Sequence, residues 1–179
     1  MSSSKLWCQF SLYRYELTFF VVAALLFALD QWTKFLVYSN MSYGQTIELP
    51  VSFVQLTYVR NFGGAFGCLE GAHLLFVCAV LVMIGVVYRF FPRICEYSGL
   101  RGCALFGSLV GGALGNLCDR VRLGYVVDMI DLKWWPVFNV ADMCIVVALV
   151  FIVLMFYSYG AADETDEVPN TEPDEVPEG

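Results

Sequence analysis

Seven charged residues stand within or beside stretches that are otherwise apolar: Asp30, Lys34, Asp119, Arg120, Asp128, Asp131 and Asp142. Two of them suggest chemistry. Asp128 closes the run Gly124-Tyr125-Val126-Val127-Asp128, an acid in apolar flanks with no adjacent base. Asp142 closes Phe138-Asn139-Val140-Ala141-Asp142 and opens a long apolar run. The connection between the flanking spans is short, so both acids can sit at one membrane face. Two carboxylates brought together cannot both ionise cheaply, so one pKa rises and the pair shares a proton. The ionised member can take a proton from water while the protonated one hydrogen-bonds to a carbonyl. That is general acid–base hydrolysis of a peptide with neither metal nor covalent intermediate.

Structural roles compete for most of these residues. Asp30 and Lys34 are four apart and can pair across one helical turn, as an ion pair ending a span or as support for a site. Asn139, three residues before Asp142, has the spacing of an N-cap with an acid in the first turn. Arg120, closing Gly115-Asn116-Leu117-Cys118-Asp119-Arg120, can serve the negative end of a helix. None of these roles explains Asp128. A charge at mid-bilayer costs about 2.5–3.5 kcal/mol even on lenient insertion scales, so those retained there are functional candidates, each needing a partner.

The elements that must hold these residues are apolar helices. Of 179 residues, 59% are hydrophobic and 15% charged, against about 25% charged in an ordinary soluble domain. The formal charge of −7 misleads, because eight of the 17 acids lie in the last 19 residues. Without that tail the body carries 10 basic and nine acidic residues, with no basic stripe for nucleic acid. Its apolar content excludes a disordered chain. A membrane-spanning helix needs about 20 mostly apolar residues. Four segments approach this: about 17–38, 72–91, 102–119 and 138–159. A soluble fold would need four buried helices with almost no amphipathic face. The first segment follows Lys5 and Arg14 as a secretory signal would, but ends in Asp30-Gln31-Trp32-Thr33-Lys34 without a small-x-small cleavage pattern. An uncleaved span is expected.

Between the first two spans, residues 43–60 are β-branched, aromatic and roughly alternating, which predicts two short strands at the membrane surface. Asn61-Phe62-Gly63-Gly64-Ala65-Phe66-Gly67 then argues for a tight turn or close packing. In the third span Gly107, Gly111 and Gly115 recur every four residues, a stripe that lets a neighbouring helix approach. The seven cysteines are scattered and read as apolar fillers of helix interfaces. The one histidine, His73, cannot build a zinc site without other spaced ligands.

Taken in order, D-Q-W-T-K, N-F-G-G-A-F, G-N-L-C-D-R-V-R-L-G-Y-V-V-D and F-N-V-A-D resemble the motifs of bacterial lipoprotein signal peptidase, also called signal peptidase II. The match runs from about Asp30 to Asp142. The resemblance implies an inner-membrane aspartic endopeptidase: an all-α polytopic protein of four transmembrane helices with a small periplasmic β-sheet. It implies removal of signal peptides from prolipoproteins that carry a diacylglyceryl group on the cysteine after the scissile bond. By motif position it implies Asp128 and Asp142 as the catalytic dyad. Asp30, Lys34, Asn61, Gly63, Asn116, Asp119, Arg120 and Asn139 become supporting or substrate-contacting residues. No cofactor or metal is expected. The expected partners are lipid-modified prolipoproteins and membrane lipids, with no nucleic acid, and the chain is expected to act as a monomer.

With four spans, both termini share a side with the loop joining the second and third. That side holds Lys5, Arg14, Arg89, Arg93 and Arg101; the other holds Lys34, Arg60, Arg120, Arg122 and Lys133. The tally is even, but Lys34, Arg120 and Arg122 stand close to aspartates. Discounting them places both termini in the cytoplasm. Residues 1–160 are expected to form one membrane-embedded peptidase domain, and 161–179 a disordered acidic cytoplasmic tail. Two other classes draw on the same residues: a cysteine protease using Cys118 and His73, and a proton-coupled carrier using the carboxylates as a relay.

Overall fold

The computed structural model describes residues 3–63 and 73–166. The described residues form three long apolar helices and three short strands. They are α1 (Ser3–Asn40), β1 (Thr46–Glu48), β2 (Gln55–Asn61), α2 (His73–Leu123), β3 (Val126–Asp131) and α3 (Val140–Asp166). Each helix contains a stretch long and apolar enough to cross a bilayer.

Where the sequence suggested a loop between two spans, helix continues through 92–101 apart from one residue. Gly99 takes φ 56° and ψ −145°, in the region that glycine tolerates and L side chains rarely enter. The chain reverses there. In an unbroken helix Phe76 and Arg120 would stand roughly 65 Å apart; instead the Arg120 guanidinium lies 4.2 Å from the Phe76 ring centroid. The Cys95 and Cys103 sulfurs approach to 3.3 Å across the same reversal. Val87, Cys95, Cys103 and Val110 join Phe19 of α1 in one buried cluster. The halves 73–98 and 100–123 therefore lie side by side. These two cysteines fill an apolar interface, as expected of them.

The glycine stripe does what its spacing predicted. A Cβ on Gly107 would lie 2.6 Å from the Phe19 carbonyl oxygen, and one on Gly111 2.6 Å from that of Ala23. On the other face a Cβ on Gly112 would meet the Ala141 carbonyl oxygen at 2.7 Å. The second half of α2 is thus the central helix, with α1 and α3 pressed against its backbone.

The sheet is antiparallel in the order β1-β2-β3. Residues 43–60 were expected to give two strands, and β1 and β2 fall there. The third strand, which carries Asp128, was not anticipated. It pairs Asn61 with Val126 and Val59 with Asp128, a register that includes an irregularity between Leu56 and Val59. Tyr58, Val127 and Met129 pack against Val37 and Met41 at the end of α1, anchoring the sheet to the bundle. At the other end of the chain α3 runs to Asp166, into the segment expected to be tail; residues 167–179 lie outside the described residues.

Polarity is distributed inside out. Phe20, Leu25, Val82, Val146, Val153, Leu154 and many like them are exposed, while Asp30, Lys34, Asn116, Asp119, Asp128 and Asn139 are buried. Apolar surface on this scale faces lipid rather than water.

Candidate active site

One turn of α1 supplies three polar residues to the bundle interior. Asp30 and Lys34 are four apart and so share a face, and Gln31 lies beside them. The Lys34 ammonium meets Asp30 Oδ2 at 2.8 Å and Asp119 Oδ2 at 3.1 Å, and donates to Asn116 Oδ1 at 2.9 Å. At 2% exposure it has no water to replace these partners. The close approach that makes this possible falls at Gly115, where a Cβ would collide with the Asp30 carboxylate. Asp30 and Lys34 thus lie in a buried polar cluster, six residues or more before the end of α1.

α2 contributes Asn116, Asp119 and Arg120. Lysine is donor-only, so Asn116 must turn its oxygen towards Lys34. Its amide nitrogen is then left to donate to Asp142 Oδ1, at 2.7 Å. Asp119 Oδ2 also accepts the Val127 backbone N–H at 3.1 Å, tying the helix to β3 beside Asp128. Arg120 donates to the Asn116 carbonyl at 3.2 Å and lies over Phe76.

Asn139 stands at the head of α3 and caps it. Its Oδ1 accepts the Asp142 N–H at 2.9 Å, and Asp142 Oδ2 accepts the Asn139 N–H at 3.3 Å. With the oxygen so engaged, the amide nitrogen points inward and donates to Asp128 Oδ1 at 2.6 Å and Asn116 Oδ1 at 3.1 Å. The cap suggested by the Asn139–Asp142 spacing is therefore present, and the same asparagine bridges the two acids. Asn61, from β2, follows the same logic. Its oxygen accepts the Gly63 N–H at 3.1 Å, so its nitrogen donates to Asp128 Oδ2 at 2.9 Å. The glycine-rich run beyond Gly63 lies outside the described residues.

Asp128 is 1% exposed, whereas Asp142 is half-buried. Burial foremost, then repulsion from the Asp142 carboxylate, pushes the Asp128 pKa up to about 7; Asn61, Asn139 and Lys34 oppose the rise. Asp128 thus keeps a proton at pH values where an ordinary carboxyl has lost it. The seventh charged candidate, Asp131, belongs elsewhere. It accepts from Gln55 at 2.7 Å and Thr57 at 2.8 Å on the sheet surface, and those bonds, the Gln55 one foremost, lower its pKa.

Gln31 was not among the residues singled out. Its amide nitrogen donates to Asp119 Oδ1 at 3.0 Å, the Gly115 carbonyl at 3.1 Å and Asp30 Oδ2 at 3.2 Å. Its place in D-Q-W-T-K was the one available signal. Nothing in the sequence marked the backbone N–H groups of Val127 and Ala141 as anchors. Cys118 faces Phe20, Ala24, Phe27 and Val121 in an apolar recess, and the His73 side chain is outside the described residues. No group of three or more His, Cys, Asp and Glu side chains among the described residues is arranged for a metal ion.

Fold and site together define a helical membrane protein that gathers two carboxylates, held by three asparagines, beside a small sheet. The chain belongs to the signal peptidase II family, whose model matches residues 22–158. It is 38% identical over 138 residues to the lipoprotein signal peptidase of Halothermothrix orenii, covering 77% of this chain and 94% of that protein. It is 40% identical over 148 residues to the lipoprotein signal peptidase of Enterococcus faecalis, covering 79% and 88%. Among solved structures it resembles a bacterial membrane enzyme with a TM-score of 0.74 and 28% identity, covering 88% of this chain and 94% of that one.

Proposed function

We propose that this protein is an aspartic endopeptidase that removes signal peptides from diacylglyceryl-modified prolipoproteins, cutting before the lipidated cysteine. The observation that carries the reading is the Asp128–Asn139–Asp142 bridge, in which one asparagine contacts both carboxylates, Asp128 through its amide nitrogen and Asp142 through its backbone N–H. Asp142, the more accessible acid, acts ionised: it takes a proton from a water that attacks the scissile carbonyl. Asp128, protonated, donates to the carbonyl oxygen as it gains charge. As the resulting diol collapses, Asp142 passes its proton to the leaving nitrogen, Asp128 takes back the proton of one diol hydroxyl, and the C–N bond breaks. The site is held before substrate arrives, so little reorganisation is needed at the barrier.

In the bilayer, α2 is read as two crossings. At 1.5 Å per residue its halves measure roughly 36 to 39 Å, each more than about 30 Å of hydrocarbon. That gives four transmembrane segments and places both termini with the Gly99 turn. Lys34 and Arg120 are engaged inside the protein, which supports leaving them out of the orientation tally. The remaining excess of Lys5, Arg14, Arg89, Arg93 and Arg101 puts that side in the cytoplasm of a bacterial inner membrane. The dyad and sheet then lie near the periplasmic face. Residues 1–160 form the peptidase domain and the acidic tail extends from it.

The test is substrate dependence. The purified protein is incubated with a prolipoprotein before and after transfer of the diacylglyceryl group, and the product N-terminus is determined. Cleavage only of the modified form, leaving the lipidated cysteine first, is expected. Equal cleavage of the unmodified form, or a cut elsewhere, would contradict the reading.

A further inference from the structure

Each of the two acids is set in place by a backbone anchor to a carboxylate on a different element, and the anchors meet at one ammonium. Asp30 Oδ1 accepts the N–H of Ala141, the residue before Asp142, at 2.9 Å. Asp119 Oδ2 accepts the N–H of Val127, the residue before Asp128, at 3.1 Å. Lys34 bonds both anchoring carboxylates, at 2.8 Å to Asp30 and 3.1 Å to Asp119. Its third bond, to Asn116 Oδ1, turns the Asn116 amide nitrogen onto Asp142. An ammonium has three donors and here each has one acceptor. Lys34 is 2% exposed and Asp30 0%, so neither water nor substrate reaches the junction.

We propose that Lys34 is a positioning residue that fixes the separation of Asp128 and Asp142 by clamping the Asp30–Ala141 and Asp119–Val127 anchors together. This rests on the reading of Asp128 and Asp142 as the catalytic pair. Lys34 is not itself an acid or base in the reaction, because its protons face only protein acceptors in a dry interior. Asn139 reaches the Asp128 carboxylate with its side chain and the Asp142 carboxylate with its backbone N–H, and Lys34 joins the backbones that carry the two acids. The clamp also links four elements, since Lys34 and Asp30 lie on α1 and Asp119 on α2, while the anchors hold β3 and the head of α3. A shift at that junction therefore moves one carboxyl relative to the other without altering the substrate-facing surface.

The test uses the full chain purified in a lipid-containing detergent, as wild type, Asp128→Asn, Lys34→Met, and Lys34→Met with Asp30→Asn. Lys34→Met leaves two buried carboxylates without their cation and can fail to fold. The double variant keeps the net charge of the cluster, and the amide oxygen it introduces at position 30 can still accept from Ala141, so it isolates the loss of the clamp. Rates are taken per folded molecule, with thermal melting as the check on folding. Misplacing reacting groups by about 1 Å costs on the order of a hundredfold, so kcat is expected to fall by about that factor with KM held within about twofold. In Lys34→Met the fall of kcat at high pH should also move to higher pH, because a cation favouring the ionised dyad is gone. The double variant should keep the wild-type limb. A folded double variant with wild-type kcat, or a change confined to KM, would overturn the clamp while wild-type cleavage and an inactive Asp128→Asn leave the dyad standing. A wild type that cleaves nothing would overturn the dyad reading and the clamp with it.

Discussion

An amide side chain has one face that donates and one that accepts, and at this site Asn61, Asn116 and Asn139 each have their accepting face engaged. Gly63 N–H, the Lys34 ammonium and Asp142 N–H take those oxygens. Each amide nitrogen is then left to point at a carboxylate. Asp128 and Asp142 were legible in the sequence because an acid in an apolar run needs a reason, and the two share a short stretch of chain. The orientation of the amides was not legible, because it depends on which donor arrives from a distant helix. The raised pKa of Asp128 gives a pH expectation. Below about 7 Asp128 keeps the proton that the proposed mechanism gives to the substrate carbonyl; above, that donor is lost. Turnover should therefore decline as pH rises through about 7, read as kcat under saturating substrate. A profile flat to pH values well above that would contradict the assignment of Asp128 as the protonated member. Stability runs the same way. The folded chain binds this proton more tightly than the unfolded chain, so the contribution is full at low pH. It is lost as pH rises from about 4, the unfolded carboxyl value, to about 7.

At the scale of elements, the glycine stripe on α2 decides whether Lys34 can reach Asp119 at all. The spacing of Gly107, Gly111 and Gly115 announced a close helix contact. Which helix would occupy it was not readable, because α1 and α3 are both apolar enough to cross a bilayer. The structure answers with α1 on one face and α3 on the face marked by Gly112. At Gly111 the nearest obstacle to a side chain is backbone, the Ala23 carbonyl, which cannot rotate away. Gly111→Leu should push α1 outward, lower thermal stability by several degrees for a loss of roughly 1–3 kcal/mol, and reduce activity together with it. A variant with unchanged melting and turnover would show that the contact is looser than described. β3 shows the opposite case. Val126, Val127 and Ile130 carried a strand signal, but six residues flanked by helices did not stand out until pairing with β2 supplied the missing partner.

For the whole molecule, low charge content announced the bilayer, and the excess of exposed apolar side chains on all three helices agrees with it. What composition could not give was the path of the chain through the membrane. Helix continues almost unbroken past the expected loop, and the non-helical backbone of Gly99 marks where the chain reverses. The reversal has a topological consequence that labelling can read. Single cysteines placed at Tyr97, beside the turn, and at Trp134, beyond β3, should be modified from opposite sides of the membrane, Tyr97 from the cytoplasm. Both are exposed, at 67% and 74%. Modification of both from one side would contradict the four-crossing arrangement and the placement of the dyad near the periplasmic face.

On the proposed mechanism Asp128 and Asp142 act as one catalytic unit. The direct measurement is the rate at which Asp128→Asn and Asp142→Asn, each shown to insert and melt as wild type does, release the signal peptide from a diacylglyceryl-modified precursor. Losing either carboxylate should remove cleavage to the limit of detection, since neither acid can both activate water and protonate the carbonyl. Processing at the wild-type rate by either folded variant would contradict a shared role for the two acids.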